Sequence, residues 1–181
     1  MLVFLRLVLM YFVGAFMENS TREFIRKWGT NIITNEVLHP VIKHKYNVAF
    51  VIKNSNKKLL KLLEPWVDYI SVDFDAEDYV IKENKKTLYN MYNRVGSWNN
   101  DDTIKNHNIV IKFDGSQLKT QEQFNQITIG LSDIITSVND GEDIGNGVEF
   151  EWDIFHMLVK SFKTYEMDSV VNKLKREDNN E

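Results

Sequence analysis

Residues 46–75, YNVAFVIKNSNKKLLKLLEPWVDYISVDFD, constrain the fold more than any other stretch, because strand, turn, helix and strand follow one another without interruption. Residues 48–52 (VAFVI) are a short apolar run rich in β-branched and aromatic side chains, which suits a strand buried on both faces. Asn54, Ser55 and Asn56 then offer helix-capping side chains. Leu59, Leu60, Leu62 and Leu63 form an apolar stripe, leaving Lys57, Lys58 and Lys61 for solvent. Pro65 stops the helix, since proline disfavours helical geometry in the residue before it. Residues 69–72 (YISV) are the second strand, which runs out on Asp73 and Asp75.

The same alternation continues downstream. Residues 76–95 have helical spacing through Tyr79, Ile81, Leu88, Met91 and Tyr92, and 96–102 carry the residues of a loop. A third strand spans 108–113 and closes in the turn Asp114-Gly115-Ser116, followed by a long helix over 121–138. After an acidic, glycine-rich loop at 139–147, Val148, Phe150, Trp152 and Ile154 alternate with Glu149, Glu151 and Asp153. Period-two alternation is the signature of a half-exposed edge strand. Residues 165–174 read as a last amphipathic helix. Upstream, Ser20 and Glu23 stand at capping-box spacing, Phe24, Ile25 and Trp28 share a helix face, and Gly29 ends that helix. Residues 31–45 read as a connector whose His39 and His44 are solvent-exposed.

This order predicts a small Rossmann-like α/β domain of three layers, with a mainly parallel four-stranded sheet and an N-terminal accessory helix. The chain divides into an apolar segment, helix and connector (1–45), the α/β domain (46–175) and a charged tail (176–181). At 181 residues it fits one domain. A net charge of −4 with no long basic run argues against duplex nucleic acid, whose binding needs clustered Lys and Arg. The absence of cysteine excludes disulfides, thiolate metal sites and thiol nucleophiles, and is compatible with a cytoplasmic location. Residues 1–16 are apolar apart from Arg6. A helix of that length is roughly 24 Å long against a ~30 Å hydrocarbon core. Three readings stand: a buried element, a membrane anchor or uncleaved signal, and sequence ahead of a start at Met17.

In an open sheet, ligands gather outside the carboxyl ends of the strands where the strand order reverses. The candidate ligand-binding residues are therefore Asn54, Ser55, Asp73, Asp75, Asp114 and Ser116. Converging carboxylates can hold a divalent cation, Mn or Mg, or accept hydrogen bonds from ribose and sugar hydroxyls. The same residue types also serve turns and helix caps. No G-x-G-x-x-G, Walker-type loop or G-x-S-x-G elbow is present, so the common dinucleotide, P-loop and serine-hydrolase signatures are missing. His156, inside an apolar run, reads as a rim histidine rather than a base.

Residues 21–29, TREFIRKWG, resemble the F-x-x-K-W-G segment near the end of the catalytic domain in family 2 nucleotide-sugar glycosyltransferases, through Phe24, Lys27, Trp28 and Gly29. Asp73 and Asp75, one residue apart at a strand end, are similar to the aspartate pair with which many such enzymes hold a metal and the donor diphosphate. The resemblance implies the carboxyl-terminal part of a transferase joined to the α/β domain. It also implies a nucleotide sugar or glycan as ligand. The nucleotide-binding half and catalytic base expected upstream of that segment are not in this chain, so the implied role is an accessory or degenerate binding module. The alternative is a non-enzymatic interaction protein, contacting a partner or a second copy through the 148–154 edge and the apolar amino terminus. A phosphate-handling hydrolase using Asp73 as metal ligand or nucleophile is a third reading.

Overall fold

The structure, a computed structural model, describes residues 19–31, 33–34, 36–37, 40–41, 45–98, 104–138 and 147–165. The chain enters through helix α1 (residues 19–28) and a small antiparallel pair, β1 (Ile33–Thr34) and β2 (Pro40–Val41). Strand β3 (Val48–Lys53) leads to α2 (Lys57–Leu63), a 3-10 turn at Glu64–Trp66 and β4 (Tyr69–Val72). Then come α3 (Glu77–Asn84), α4 (Met91–Arg94) and β5 (Val95–Ser97). Strand β6 (Ile109–Asp114), α5 (Gln121–Ile127), α6 (Leu131–Val138) and the hairpin β7 (Val148–Trp152) and β8 (Phe155–Val159) complete the order.

The protein is α/β, but its main sheet has six strands rather than four, in the order β5-β4-β3-β6-β8-β7. The first four are parallel; β8 runs antiparallel to β6, and β7 antiparallel to β8. Two strands of this sheet escape the sequence reading, as do β1 and β2, which fall within the stretch read as a connector. β5 has three residues, Val-Gly-Ser, and a single apolar side chain among them. Its Gly96 is obligatory, since a Cβ there would stand 1.8 Å from the Tyr69 hydroxyl on β4. β8 arises because Asp153 adopts a left-handed conformation (φ 48°), ending the alternating strand at Trp152 and folding Phe155–Val159 back on it.

Both long predicted helices are also broken. Within 76–95, Asn84 accepts from the Met91 amide (2.9 Å) and Asn90 from the Tyr92 amide (3.0 Å), so α4 starts afresh. Leu88, expected on the apolar stripe, is 76% exposed. Within 121–138, the Gly130 amide returns to the Asn125 carbonyl and separates α5 from α6. The cap predicted for α2 forms, with the Asn56 side chain accepting from the Leu59 amide. Of the predicted helix 165–174 only Tyr165 is described, outside any helix and with its amide bonded to the Lys45 carbonyl; 166–174, the tail 176–181, residues 1–16, His39 and His44 lie outside the described residues.

One face of the sheet carries the main core. Val48, Phe50 and Ile52 of β3 pack there with Leu60 and Leu63 of α2, Val80 of α3, Met91 of α4, and Ile127 and Ile135 of α5 and α6. The opposite face gathers Ala49, Val51, Tyr69 and Val110 under Ile104. Among the described residues, the expected third layer is thus reduced to a single turn at 104–105. No helix of the described residues is long and apolar enough to cross a membrane.

Helix α1 is anchored differently from the expectation. Phe24 and Trp28 are half-exposed, whereas Arg22, Ile25 and Arg26 are buried. The spacing i, i+3, i+4 still defines one face, but two of its three members are cations. They meet Glu64, which is fully buried just before Pro65. Arg26 grips both Glu64 oxygens (3.1 and 2.6 Å), Arg94 from α4 donates to Glu64 Oε1 (2.8 Å), and Arg22 donates to Glu64 Oε2 (3.2 Å). Glu83 of α3 accepts from both Arg22 (2.9 Å) and Arg26 (2.6 Å), and Glu23 pairs with Arg26. Tyr79 donates to Glu64 and accepts from Arg22. Three guanidinium groups thus face three carboxylates, so the network is charge-balanced.

Burial alone would raise the Glu64 pKa; Arg94, Arg26 and Arg22 outweigh it and hold the group down to about 2, against an ordinary 4.5. A depressed carboxylate stabilises the fold above its unfolded pKa, and that contribution fades as pH falls through the folded one. The expected outcome is a stability loss between pH 4.5 and about 2, measured by urea unfolding across that range. Glu64→Gln should cost about 3–5 kcal/mol at neutral pH and flatten this pH dependence, because it leaves buried guanidinium charge uncompensated.

Candidate functional site

The strand order reverses between β3 and β6: the chain steps outward from β3 to β4 and β5, then returns to the other side of β3. Five of the six residues singled out in the sequence meet at the carboxyl ends around this switch. Asn54 ends β3 in the left-handed conformation (φ 50°), which asparagine tolerates better than most residues. That turn aims the Asn54 and Ser55 amides at the Asp73 carboxylate, at 2.6 and 2.9 Å. The Ser55 hydroxyl donates to the same carboxylate at 2.6 Å. On the other side, Asn54 Nδ2 donates to Asp114 at 2.8 Å, linking β3 to β6. Asp114 also accepts from the amide and hydroxyl of Ser116, at 2.9 and 2.6 Å.

The sixth residue, Asp75, lies apart from this set. Its carboxylate accepts from the Glu77 amide at 3.0 Å and so serves the start of α3. Asp73 and Asp75 therefore accept hydrogen bonds from different segments, Asp73 from the loop after β3 and Asp75 from the first turn of α3. Among the described residues no group of three or more His, Asp or Glu side chains is placed to hold a metal ion. His156 sits on β8 with Nε2 3.6 Å from Glu149, away from the switch.

Electrostatics keep both central carboxylates ionised. Loss of hydration is the largest single influence on Asp73 and works to raise its pKa, but the hydrogen bonds from the Ser55 hydroxyl and amide and the Asn54 amide together lower it below the ordinary value. Asp114 is lowered by the Ser116 hydroxyl, then by Asn54 and the Ser116 amide, with a small contribution from Lys53. Both side chains remain open to solvent, so each retains oxygen lone pairs for a further donor.

Beside this network lies a groove of about 360 Å³ between α2 and the β6–α5 connection. Leu59, Leu62, Leu118 and Phe124 make it apolar, while Lys58, Lys119 and Thr120 supply polar groups. Gly115 lets the two loops approach: a Cβ there would stand 2.6 Å from Leu59 Cδ2 and 3.2 Å from the Asn54 carbonyl. Sequence reasoning missed the groove because its residues come from two distant segments. The glycine directly after a strand-terminal aspartate was the available signal.

Asp73→Ala should lower the unfolding free energy by about 1 kcal/mol, the scale of an exposed but charge-assisted hydrogen-bond set. Its amide resonance changes should concentrate on Asn54 and Ser55, whereas those of Asp75→Ala should concentrate on Glu77; urea unfolding with two-dimensional NMR reads both. No protein-family model, curated protein or solved structure matches this chain.

Proposed function

We propose that this chain is a glycosyltransferase-type α/β domain that binds a nucleotide sugar at the carboxyl ends of β3, β4 and β6, acting as a binding or accessory module. The observation that carries the reading is the Asn54–Asp114 contact across the strand-order switch, with Asp73 bound to the same loop. It places two ionised, solvent-facing carboxylates where an open sheet receives a nucleotide. Ribose and sugar hydroxyls donate to Asp73 and Asp114. The adjoining groove receives the rest of the ligand, with a base over Leu118 and Phe124 and the diphosphate toward Lys58 and Lys119. An apolar floor with a few placed polar groups is the usual composition of a small-molecule site. The reading relies on hydrogen bonds and lysine charge. The family 2 resemblance at Phe24, Lys27, Trp28 and Gly29 agrees with a sugar-nucleotide ligand.

Thermal and urea unfolding of the full chain against a panel of nucleoside diphosphate sugars, each with and without manganese, tests this function. A ligand at ~100 times its dissociation constant should add about 2.7 kcal/mol of stability. Asp114→Ala and Lys119→Ala should each weaken that gain. No stabilisation by any member of the panel, or gains unchanged in both variants, would refute the proposal.

A further inference from the structure

Strand β7 forms the far edge of the main sheet, and among the described residues nothing pairs with its outer side. It is held firmly from within. Five residues are in register with β8, Trp152 and Phe155 pack with ring centroids 5.3 Å apart, and Phe155 meets Phe113 of β6 at the same distance. The hairpin tip is pinned by Gln123 of α5, which donates to Asp153 at 2.8 Å. The outward-facing backbone groups of β7 are thus a preorganised template for another strand.

The side chains select what can pair there. Val148, Phe150 and Trp152 alternate with exposed Glu149 and Glu151, which share the face bearing His156. A second copy joining antiparallel about a twofold axis keeps corresponding faces aligned, so in every register centred on residues 149 to 151 a glutamate falls opposite another glutamate. Like charges directly opposite are unfavourable. Across that face a polar row runs from Lys112 on β6 through His156 on β8 to the carboxylate of Glu151 on β7, in directly paired positions. A cation is the complementary next member of the row.

We propose that the β7 edge binds an extended segment of another polypeptide whose basic residues alternate with apolar ones. Its Lys or Arg side chains lie beside Glu149 and Glu151, its apolar side chains continue the Val148, Phe150 and Trp152 row, and its backbone extends the sheet by one strand. The site is separate from the carboxyl-end groove and does not depend on it.

The probe is a short, end-blocked peptide of alternating Lys and Val, compared with its Glu-Val counterpart, on the full chain. Amide hydrogen exchange should slow at β7 with the Lys-Val peptide, whose affinity should exceed that of the Glu-Val peptide about ten-fold, as expected for two favourable cross-strand pairs. The double variant Glu149→Lys with Glu151→Lys should reverse the preference. Both side chains are exposed, so the fold should tolerate the change. Lys-Val peptide N-methylated along one edge should fail to protect β7, a control that leaves the protein untouched. Absence of β7 protection, equal affinity for both peptides, or binding that survives N-methylation would overturn the proposal. So would self-association by sedimentation with β7 protected in the absence of peptide, since a second copy would then be the occupant.

Discussion

The fold depends on a carboxylate that could not be buried alone. Glu64 occupies the turn between α2 and β4, and three further helices on that side of the sheet reach it: α1 through Arg22 and Arg26, α3 through Tyr79 with Glu83 alongside, and α4 through Arg94. Taking such charges out of water costs several kcal/mol per ion, which only close and complete pairing offsets. The network therefore does less to increase total stability than to specify arrangement. A displaced α1 or α4 would strand a guanidinium or leave Glu64 short of partners, so the packing of the helices becomes nearly all-or-none. Arg94 adds a further tie, donating to the main-chain carbonyls of Glu64 and Val67, which fixes the approach into β4.

With β4 fixed, the carboxyl-end geometry follows. β3 and β4 are in parallel register from Ala49 opposite Tyr69 to Ile52 opposite Val72, so their ends stop together. Asp73 is then one residue beyond β4 and directly beside the loop leaving β3. The left-handed turn at Asn54 spreads that loop between Asp73 and Asp114, and its side chain closes the gap to β6. The candidate site is thus a consequence of strand register plus one residue in an unusual conformation.

What the sequence disclosed divides along physical lines. The β3-α2-β4 unit was legible because its signals are local: a buried strand announces itself by composition, Asn56 by capping chemistry, Pro65 by its missing N–H. That Asn54, Ser55, Asp73, Asp114 and Ser116 gather in one place was legible because strand ends in parallel sheets lie side by side. β5 was not, since a three-residue strand held by Gly96 against Tyr69 has almost no pattern of its own. The breaks at Asn90 and Gly130 were hidden by apolar spacing that continued across them. Least visible was the Arg22–Arg26–Glu64–Glu83 network, whose members are 38–61 residues apart in their contacts across the arginine–glutamate pairs and, read singly, are surface residues. Charge at the buried spacing of α1 was the overlooked hint.

The two ends of the parallel strands differ in a way that bears on function. At the amino end, main-chain bonds lace the entries together: Asp68 N–H to the Val48 carbonyl, Ile109 to Asn47, Lys160 to Asn108 and Tyr165 to Lys45. Such bonds are largely indifferent to side-chain identity and hold the sheet whatever residues stand there. At the carboxyl end main-chain bonds also act, Gly115 N–H to the Lys53 carbonyl and Trp98 N–H to the Val72 carbonyl, but they are joined by a connected set of side chains, those of Asn54, Ser55, Asp73, Asp114 and Ser116, which remain open to water. A fold needs caps, yet it does not need ionised, solvent-facing ones at the two strand ends that flank β3. Concentrating sequence-specific polar groups where the backbone would tolerate simpler turns is the pattern expected when a site, as well as stability, constrains those residues.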